Sequence, residues 1–412
     1  MRKIATLIFL VTCNYLHAQI ITSIHFEGLK KTKASYAAQF VNSKVGEPFD
    51  SVKLEADRQR LTNLETMTHV NIRLSGSADS VAVTFDCVEA ISFLPIFGLG
   101  TIRNNYWAKL GAHESNLGGN GNKLIGYYQF YDRHSVSLYY ASGRKALSPW
   151  TYTLNVVRWA TLEPTKIDNQ NVVYQYTNYQ VGASILYHKS FTSKIEVALN
   201  VFYEEFNKAK QTELSPGPNS VEYTKALGRV SWQLNRMNYF YYYVSGVQNN
   251  LTFQTVRTFN QHIPFIMVVN ELKYAKHIKK RTNLASRLRI GMSTNNNSPF
   301  APFALDSYLN IRGVGNRVDR GTGAMVLNTE LRHTVIEYAQ FAIQTVVFSD
   351  AGVWRKPGAT FSSIKLEENR RLFAGGGLRL IYKKAHDVII RIDYGTEFYS
   401  TGGFVVGLGQ YF

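Results

Sequence analysis

The chain has 412 residues, and its 46 Lys and Arg residues against 29 Asp and Glu residues give a formal net charge of +17. An excess of this size often indicates a nucleic-acid partner or an anionic surface. The basic residues are scattered instead of forming one tract, and an export signal precedes them, so we expect no nucleic acid as a partner. A solvated polar interior and loops that face anionic headgroups explain the charge.

The first 18 residues have the layout of a secretory signal peptide. Arg2 and Lys3 precede an apolar run that ends at Thr12, and Ala18 supplies the small residue of a cleavage site. The run is much shorter than the roughly 20 residues of a membrane-spanning helix. We therefore expect cleavage after Ala18. Lipid attachment at Cys13 stays open as an alternative, although its neighbours fit that signal poorly.

Residues 19–90 differ in pattern from the rest of the chain and predict the order strand, helix, helix, strand, strand. The first helix is expected from Thr32 to near Gly46, and the second begins at Asp50 or Ser51. The apolar positions that define the five elements are Ile21, Ile24 and Phe26; Tyr36, Ala37, Phe40 and Val41; Leu54, Leu61 and Leu64; Val70, Ile72 and Leu74; and Val81, Val83 and Phe85. This order is typical of a small α+β unit with helices on one face of a sheet.

The N-terminal segment resembles a POTRA domain. Residues 24–28 at its start and residues 81–85 near its end carry this resemblance, which covers all of residues 19–90. An unrelated α+β domain is the alternative. After loss of Cys13 with the signal peptide, Cys87 is alone and cannot form an internal disulfide, so stability must come from the fold itself.

Residues 91–412 change to period-two alternation, which predicts strands. The alternating segments include residues 123–131, 151–159, 174–187, 195–206, 221–234, 251–256 and 285–292, and turn-rich clusters lie at residues 116–122, 215–219 and 294–299. No apolar stretch is long enough for a transmembrane helix. A membrane protein of this kind must therefore be a closed barrel, in which every backbone group is paired. At about 10 residues a strand, we expect a mainly β fold with roughly 16 antiparallel transmembrane strands.

A soluble β-sandwich is the alternative for this alternation. The chain contains 24 Phe, 26 Tyr and 5 Trp residues. Aromatic clusters at residues 127–131 and 239–243 stand at segment ends, where they favour the interfacial girdles of a membrane barrel.

Two motifs in the C-terminal third resemble those of the BamA/TamA superfamily. The matching residues are Ile311, Arg312 and Gly313 in a predicted loop, and Phe348, Asp350 and Gly352 in a predicted strand. Val314 stands where the loop motif usually has an aromatic residue. In the superfamily this loop folds into the barrel, and its arginine docks on acids of the wall. The resemblance therefore implies that Arg312 pairs with Asp350 and with Glu330.

Strand alternation is compatible with such docking. The residues expected to face the lumen are Asn328, Glu330, Arg332, Arg379, Arg391 and Asp393, whereas Met325, Leu327, Thr329, Leu331, Leu378, Leu380, Ile390, Ile392 and Tyr394 are expected to face lipid. An arginine opposite two inward carboxylates can form bidentate, charge-assisted hydrogen bonds. The alternative is that Arg312, Glu330 and Asp350 are ordinary solvated charges of the lumen.

The last strand is expected to form both a seam and an assembly signal. Phe404, Val406, Leu408 and Phe412 are expected on one face, and the aromatic Phe412 resembles the outer-membrane assembly signal, although Gln410 departs from it. The glycines of this region are Gly402, Gly403, Gly407 and Gly409. Glycine weakens a strand, as a lateral gate requires, but it is also a common fitting device. Residues 113–121 resemble the superfamily's first strand turning into its second, which places the first barrel strand near residues 107–114.

We find no catalytic motif, metal-ligand spacing or dinucleotide loop, so we expect neither an enzyme nor a cofactor or metal. The resemblance implies an outer-membrane factor that receives unfolded outer-membrane or secreted clients through a periplasmic POTRA domain and inserts or translocates them. Lipid, lipopolysaccharide and accessory assembly proteins are the other expected partners. The alternatives are a passive channel or structural barrel, and a dedicated exporter of one secreted protein.

Overall fold

The computed structural model describes residues 19–412 except 103–104, 132, 146–147, 169, 241, 260–263, 296–301, 306–309, 315–319, 386–387 and 398–401. The predicted signal peptide with Cys13, and most of the loop predicted at residues 294–299, lie outside the described residues. The described chain forms a small α+β domain and a 16-stranded antiparallel barrel, as the alternation predicts. No helix in this part of the chain is both long and apolar enough to cross a membrane.

The N-terminal domain has the predicted order of elements. These are β1 (Ile20–Glu27), α1 (Ala34–Ala37) with a 3-10 turn (Ala38–Phe40), α2 (Ser51–Thr62), β2 (Met67–Gly76) and β3 (Ser80–Glu89). Strand β3 lies in the middle of the sheet, parallel to β1 and antiparallel to β2. The Asp50 carboxylate begins α2 by accepting hydrogen bonds from the backbone N–H groups of Val52 and Lys53. Leu54, Leu61 and Phe85 are among the buried residues that form the core between helices and sheet.

The first helix is shorter than predicted, because a buried carboxylate draws the chain away from it. The backbone N–H groups of Asn42 and Ser43 donate to Asp57 in α2, at 2.8 and 2.9 Å. These bonds hold the chain outside a helix: Val41 is extended and a turn follows at Val45 and Gly46, whereas the apolar pattern predicts a helix to near Gly46. Periodicity cannot anticipate a distant side chain that competes for backbone donors.

The barrel strands follow one another around the wall. The first eleven are β4 (Phe93–Ile102), β5 (Asn105–Leu117), β6 (Asn122–Tyr131), β7 (Arg133–Ala141), β8 (Trp150–Ile167), β9 (Gln170–His188), β10 (Ser193–Lys208), β11 (Ser220–Phe240), β12 (Tyr243–Thr258), β13 (Phe265–Lys279) and β14 (Thr282–Ser293). A separate short ribbon of β15 (Phe303–Ala304) and β16 (Arg320–Gly321) follows. The last five barrel strands are β17 (Gly323–Glu337), β18 (Phe341–Arg355), β19 (Arg370–Tyr382), β20 (Ile389–Glu397) and β21 (Gly402–Leu408). Three 3-10 turns lie in loops, at Lys210–Thr212, Phe361–Lys365 and Glu367–Asn369.

Successive side chains alternate between the two faces of the wall. On β10, Val197 and Leu199 are exposed on the outer face, while Glu196 and Asn200 are buried on the inner face. The same alternation places Leu327 outside and Glu330 inside on β17. The outer face is therefore an apolar surface suited to lipid, and the polar side chains line the lumen.

The first barrel strand is not where the sequence places it. Residues 107–114 lie in the second strand, β5, and the first is β4, which pairs with β5 and stands at one edge of the strand order. Pro95, Gly98 and Gly100 dilute the strand pattern of β4. Proline is tolerated there because an edge strand leaves one row of backbone groups without a ladder. Strand β21 stands at the other edge, and within the described ranges no ladder joins it to β4.

The N-terminal domain lies across one end of the barrel, on the turns that join the strands. The backbone N–H of Lys33 donates to the Gly119 carbonyl at 2.9 Å, and the Asn116 side chain donates to Thr32 at 2.9 Å. Burial raises the pKa of the Glu89 carboxyl, but hydrogen bonds from Thr32 and the Lys31 backbone outweigh it and lower that pKa overall. The loop from β1 is thus fixed to β3 on one side and to the barrel on the other.

Candidate functional site

The long loop between β14 and β17 enters the barrel from the end opposite the N-terminal domain. Residues 310–314 lie inside, and Ile311 and Val314 are buried in an apolar cluster with Leu305, Trp354 and Phe373. This apolar contact removes water from the loop tip on the side of β18 and β19. The polar backbone and side chains of the tip must therefore find protein partners.

Arg312, at the tip of the loop, donates hydrogen bonds to two carboxylates of the barrel wall. Its Nε and Nη2 donate to Oδ2 and Oδ1 of Asp350 at 2.8 and 2.9 Å, its backbone N–H donates to Oδ2 at 3.0 Å, and its Nη1 donates to Oε2 of Glu330 at 2.5 Å. All three side chains have no exposed surface. The geometry is bidentate toward Asp350 and single toward Glu330, an arrangement that matches the planar guanidinium fork.

Two aromatic rings complete the surroundings of the guanidinium. The Cζ atom of Arg312 lies 3.6 Å from the ring centroid of Phe348 and 4.4 Å from that of Tyr411. Such ring contacts stabilise a desolvated cation. Phe348 belongs to the strand motif, whereas nothing in the sequence pattern pointed to Tyr411. The ring contact comes from a residue that follows the last strand.

A wider network surrounds this pair. Three guanidinium groups, those of Arg312, Arg332 and Arg379, face the three carboxylates of Glu330, Asp350 and Asp393. Arg332 donates to Glu330 at 2.5 Å, and Arg379 donates to Asp393 at 2.6 Å. Alternation predicts that these side chains face inward, but it does not predict which of them form ion pairs.

Asn328 connects the network to the loop backbone. Its side-chain nitrogen donates to Oδ1 of Asp350 and to the Asn310 carbonyl, both at 2.8 Å, and its oxygen accepts from Arg287. Sequence reasoning placed Asn328 on the inner face without assigning it to the site. The geometry makes it a second support of the docked loop.

Glycines let the loop backbone approach the wall. Gly313 has φ +87°, and a Cβ there would lie 2.2 Å from the Gly395 carbonyl oxygen. A Cβ at Gly395 would in turn lie 2.4 Å from the Arg312 carbonyl oxygen, and one at Gly352 would lie 2.6 Å from Cδ1 of Ile311. The contacts at Gly313 and Gly395 are with backbone atoms and exclude any side chain, whereas the contact at Gly352 is with the end of the flexible Ile311 side chain, which can shift. Gly313 and Gly395 therefore have a steric reason in the docked loop.

The prediction that Phe412 shares the outer face of the last strand is wrong. Strand β21 ends at Leu408, Gly409 has φ +77°, and the chain then turns to the inner side. There Phe412 accepts a hydrogen bond from Arg332 at 3.2 Å through its carbonyl, and Tyr411 is buried. The reason is that a glycine in the left-handed region ends the alternation on which the prediction depended.

The other glycines of this region lie close to neighbouring groups. A Cβ at Gly402 would lie 2.7 Å from the Tyr394 hydroxyl, and one at Gly407 would lie 2.7 Å from the Arg391 guanidinium. A Cβ at Gly403 would lie 3.5 Å from the Gly313 carbonyl oxygen, an ordinary contact. Their role in a seam stays a prediction. In the described part of the chain, no group of three His, Cys, Asp or Glu side chains could hold a metal ion.

Comparisons with known proteins concern both units. The POTRA family, described as a surface antigen variable number repeat, matches residues 19–90. The structure is similar to BamA from Haemophilus ducreyi lacking POTRA domains 1–3, with TM-score 0.55, 14% identity, and coverage of 95% of this chain and 83% of that one. It is also similar to CdiB from Acinetobacter baumannii (TM-score 0.59, 11% identity, 96% and 74% covered) and from Escherichia coli (0.60, 12%, 95% and 75%). No curated protein sequence matches the chain.

Proposed function

We propose, from the premise that this chain has the BamA/TamA superfamily fold with one POTRA domain and a 16-stranded barrel, that it assists client polypeptides into or across an outer membrane. The POTRA domain faces the periplasm and receives unfolded outer-membrane or secreted clients. The barrel then inserts or passes them. Burial of the client's apolar surface drives insertion, so no nucleotide is required.

One observation carries this proposal: the chain offers unpaired strand edges in both units. Among the described strands β2 pairs with β3 alone, so one side of β2 is available to a client strand by β-augmentation. In the barrel, β4 and β21 share no ladder within the described ranges, and β21 has 7 residues where β18 has 15. An edge with few backbone hydrogen bonds is the part of a barrel wall that opens most easily.

Depletion of the protein tests the proposal. We expect particular barrel or surface proteins to disappear from the outer-membrane proteome, with unchanged uptake of small solutes. A chain that lacks residues 20–90 should still insert in the membrane but should fail to restore the missing clients. Full complementation by that truncated chain would refute recruitment through the POTRA domain.

A passive channel is the second candidate, and one feature of the lumen favours it. A cavity of about 670 Å³ lies along the inner face of β7 to β11, lined by polar residues that include Asn155, Gln180 and Asn200. A water-filled space of this kind suits small solutes. Depletion that alters solute uptake while leaving the proteome unchanged would favour this function, and loss of one secreted protein alone would favour a dedicated exporter.

A further inference from the structure

A second cavity, of about 410 Å³, lies at the junction of the POTRA domain and the barrel. The two units both contribute to its lining. The lining includes Tyr36, Phe40 and Glu65 from the POTRA domain, and Lys123, Arg144 and Lys194 from the barrel. The cavity is therefore created by the seating of one unit on the other, and it is absent from either unit alone.

The charges on this lining are unbalanced. Lys123 forms an ion pair with Glu65 across the junction. Arg144 and Lys194 form no hydrogen bond or ion pair with any other described residue. The two carboxylates that attract the Lys194 ammonium already have partners: Glu65 pairs with Lys123, and Glu196 accepts from Arg229 at 2.9 Å. One carboxylate, that of Glu65, faces three cations on this lining, and such an excess of positive charge in a partly enclosed space is unfavourable, because the lost water is not compensated.

The fold holds Arg144 in place without neutralising it. Its loop lies on the β5–β6 turn, where the Gly143 N–H donates to Asn122 at 2.7 Å and a Cβ at Gly143 would lie 1.9 Å from the Asn120 carbonyl oxygen. The Arg144 guanidinium lies 4.6 Å from the ring centroid of Phe191. A guanidinium beside an aromatic ring can still donate its N–H groups to an anion.

Lys194 lies on the inner face of the wall. It is the second residue of β10, opposite His188 of β9 and Gln233 of β11, and its neighbour Ile195 is exposed on the outer face. The ammonium group therefore points toward the lumen end of the junction, away from the lipid-facing side.

The junction cavity leads into the lumen. Tyr139 and Thr153 line both this cavity and the larger one along β7 to β11. Membrane lipid would contact the opposite, apolar face of the wall, where Val197 and Leu199 are exposed. The position thus favours a polypeptide on its way between the POTRA domain and the lumen over a lipid headgroup.

We propose that the junction cavity binds a carboxylate-bearing polypeptide segment, with the carboxylate held between Arg144 and Lys194. The aromatic rings of Tyr36 and Phe40 lie beside it as an apolar contact surface. This proposal rests on the proposed function, because it takes the bound segment to be part of a client polypeptide that enters the barrel. It makes acidic segments the ones that the barrel accepts first.

The test is peptide binding to the purified full-length protein in nanodiscs of neutral lipid. The probe is a fluorescein-labelled ten-residue peptide with four Asp residues, compared with the same peptide carrying Asn instead. Arg144→Gln and Lys194→Gln should each weaken binding of the Asp peptide by about tenfold, the equivalent of one ion pair of roughly 1.4 kcal/mol. Arg144→Lys should retain most of the affinity. Lys189→Gln, in the same turn as Phe191 but exposed and outside the cavity lining, should change nothing.

Three outcomes would overturn the site. They are equal binding of the Asn and Asp peptides, unchanged affinity in the Arg144→Gln/Lys194→Gln variant, and variant-sensitive binding of phosphatidylglycerol vesicles without binding of the peptide. Heat-modifiable migration in electrophoresis checks that each variant is folded. If the double variant assembles clients normally, this site fails and the proposed function stands, whereas depletion without effect on the proteome refutes the function while the peptide assay still decides the site.

Discussion

The two halves of the lumen have the same strand alternation but different interiors. Along β14 and β17 to β20, the docked loop fills the barrel, and Arg312, Glu330 and Asp350 have no exposed surface. Along β7 to β11 the barrel contains the cavity of about 670 Å³, and the pair of Arg229 and Glu196 is partly exposed. An inward polar residue is thus part of a buried, rigid network in one half and is in contact with water in the other.

This difference comes from water and not from the type of residue. Charges attract each other more strongly where water is excluded, and each also loses more when its partner is removed. In the open half, water screens the pair and replaces a missing partner. We therefore expect the filled half to hold the loop as one coupled unit, and the open half to tolerate change and to provide the path for a client.

The largest effect is expected from breaking the loop contact. Arg312→Ala or Asp350→Ala should each cost about 3 to 5 kcal/mol, because the remaining charge stays buried without its partner. The double variant should be little worse than either single variant, since coupled partners give non-additive effects. Urea unfolding in detergent micelles measures the stability, and protease cleavage within residues 294–322 measures loop release.

Arg257→Ala is the matched control for this prediction. Arg257 lies exposed on the outer face of β12, and its loss should stay within about 0.5 kcal/mol. Simple addition of the Arg312 and Asp350 effects, or normal client assembly with a protected loop in Arg312→Ala, would contradict the docking mechanism.

A smaller effect is expected from a methyl group between loop and wall. Gly395→Ala should cost about 1 to 3 kcal/mol, because its Cβ would overlap the Arg312 carbonyl and push the loop inward. Gly376→Ala is the control, since a Cβ there meets its nearest atom, the Val346 carbonyl oxygen, at 3.4 Å. The same unfolding and cleavage assays apply. Equal effects of the two substitutions would mean that the glycine contact does not position the loop.

The C-terminal residues should contribute less again. Tyr411→Ala removes the ring beside the Arg312 guanidinium and should cost about 0.5 to 2 kcal/mol, whereas Tyr411→Phe keeps the ring and should cost less. Removal of Phe412 is expected to reduce the yield of heat-modifiable barrel in the membrane. Normal yield without Phe412 would contradict its role as an assembly signal.

The smallest effect is expected in the open half. Arg229→Ala should cost less than about 1 kcal/mol, because the Arg229 and Glu196 side chains keep access to water in the cavity. Unfolding measured beside Arg312→Ala gives a direct comparison of the two halves. A loss as large as that of Arg312→Ala would show that the open half is as dry as the filled one.

The sequence predicted the inner face of β17 and β18 well, because strand periodicity alone assigns Glu330 and Asp350 to the same side. It misplaced the first barrel strand, where Pro95 and two glycines obscure the pattern of an edge strand. It also missed Tyr411, which follows a left-handed glycine and obeys no alternation. In both failures, glycine or proline interrupts the period of two on which the prediction depends.

Local alternation in the sequence determined which side chains face inward, since a period of two follows from strand geometry whatever the neighbours are. Alternation does not say which inward charges meet: the family resemblance implied the pairing of Arg312 with Asp350 and Glu330, and the tertiary structure decides the rest. Arg312 reaches Asp350 and Tyr411 only because the loop folds into the barrel and the chain turns back after β21. Arg144 and Lys194 likewise share a cavity because two turns and the POTRA domain come together at one end. Contacts of this kind join residues that are far apart in the sequence, and no local pattern specifies them.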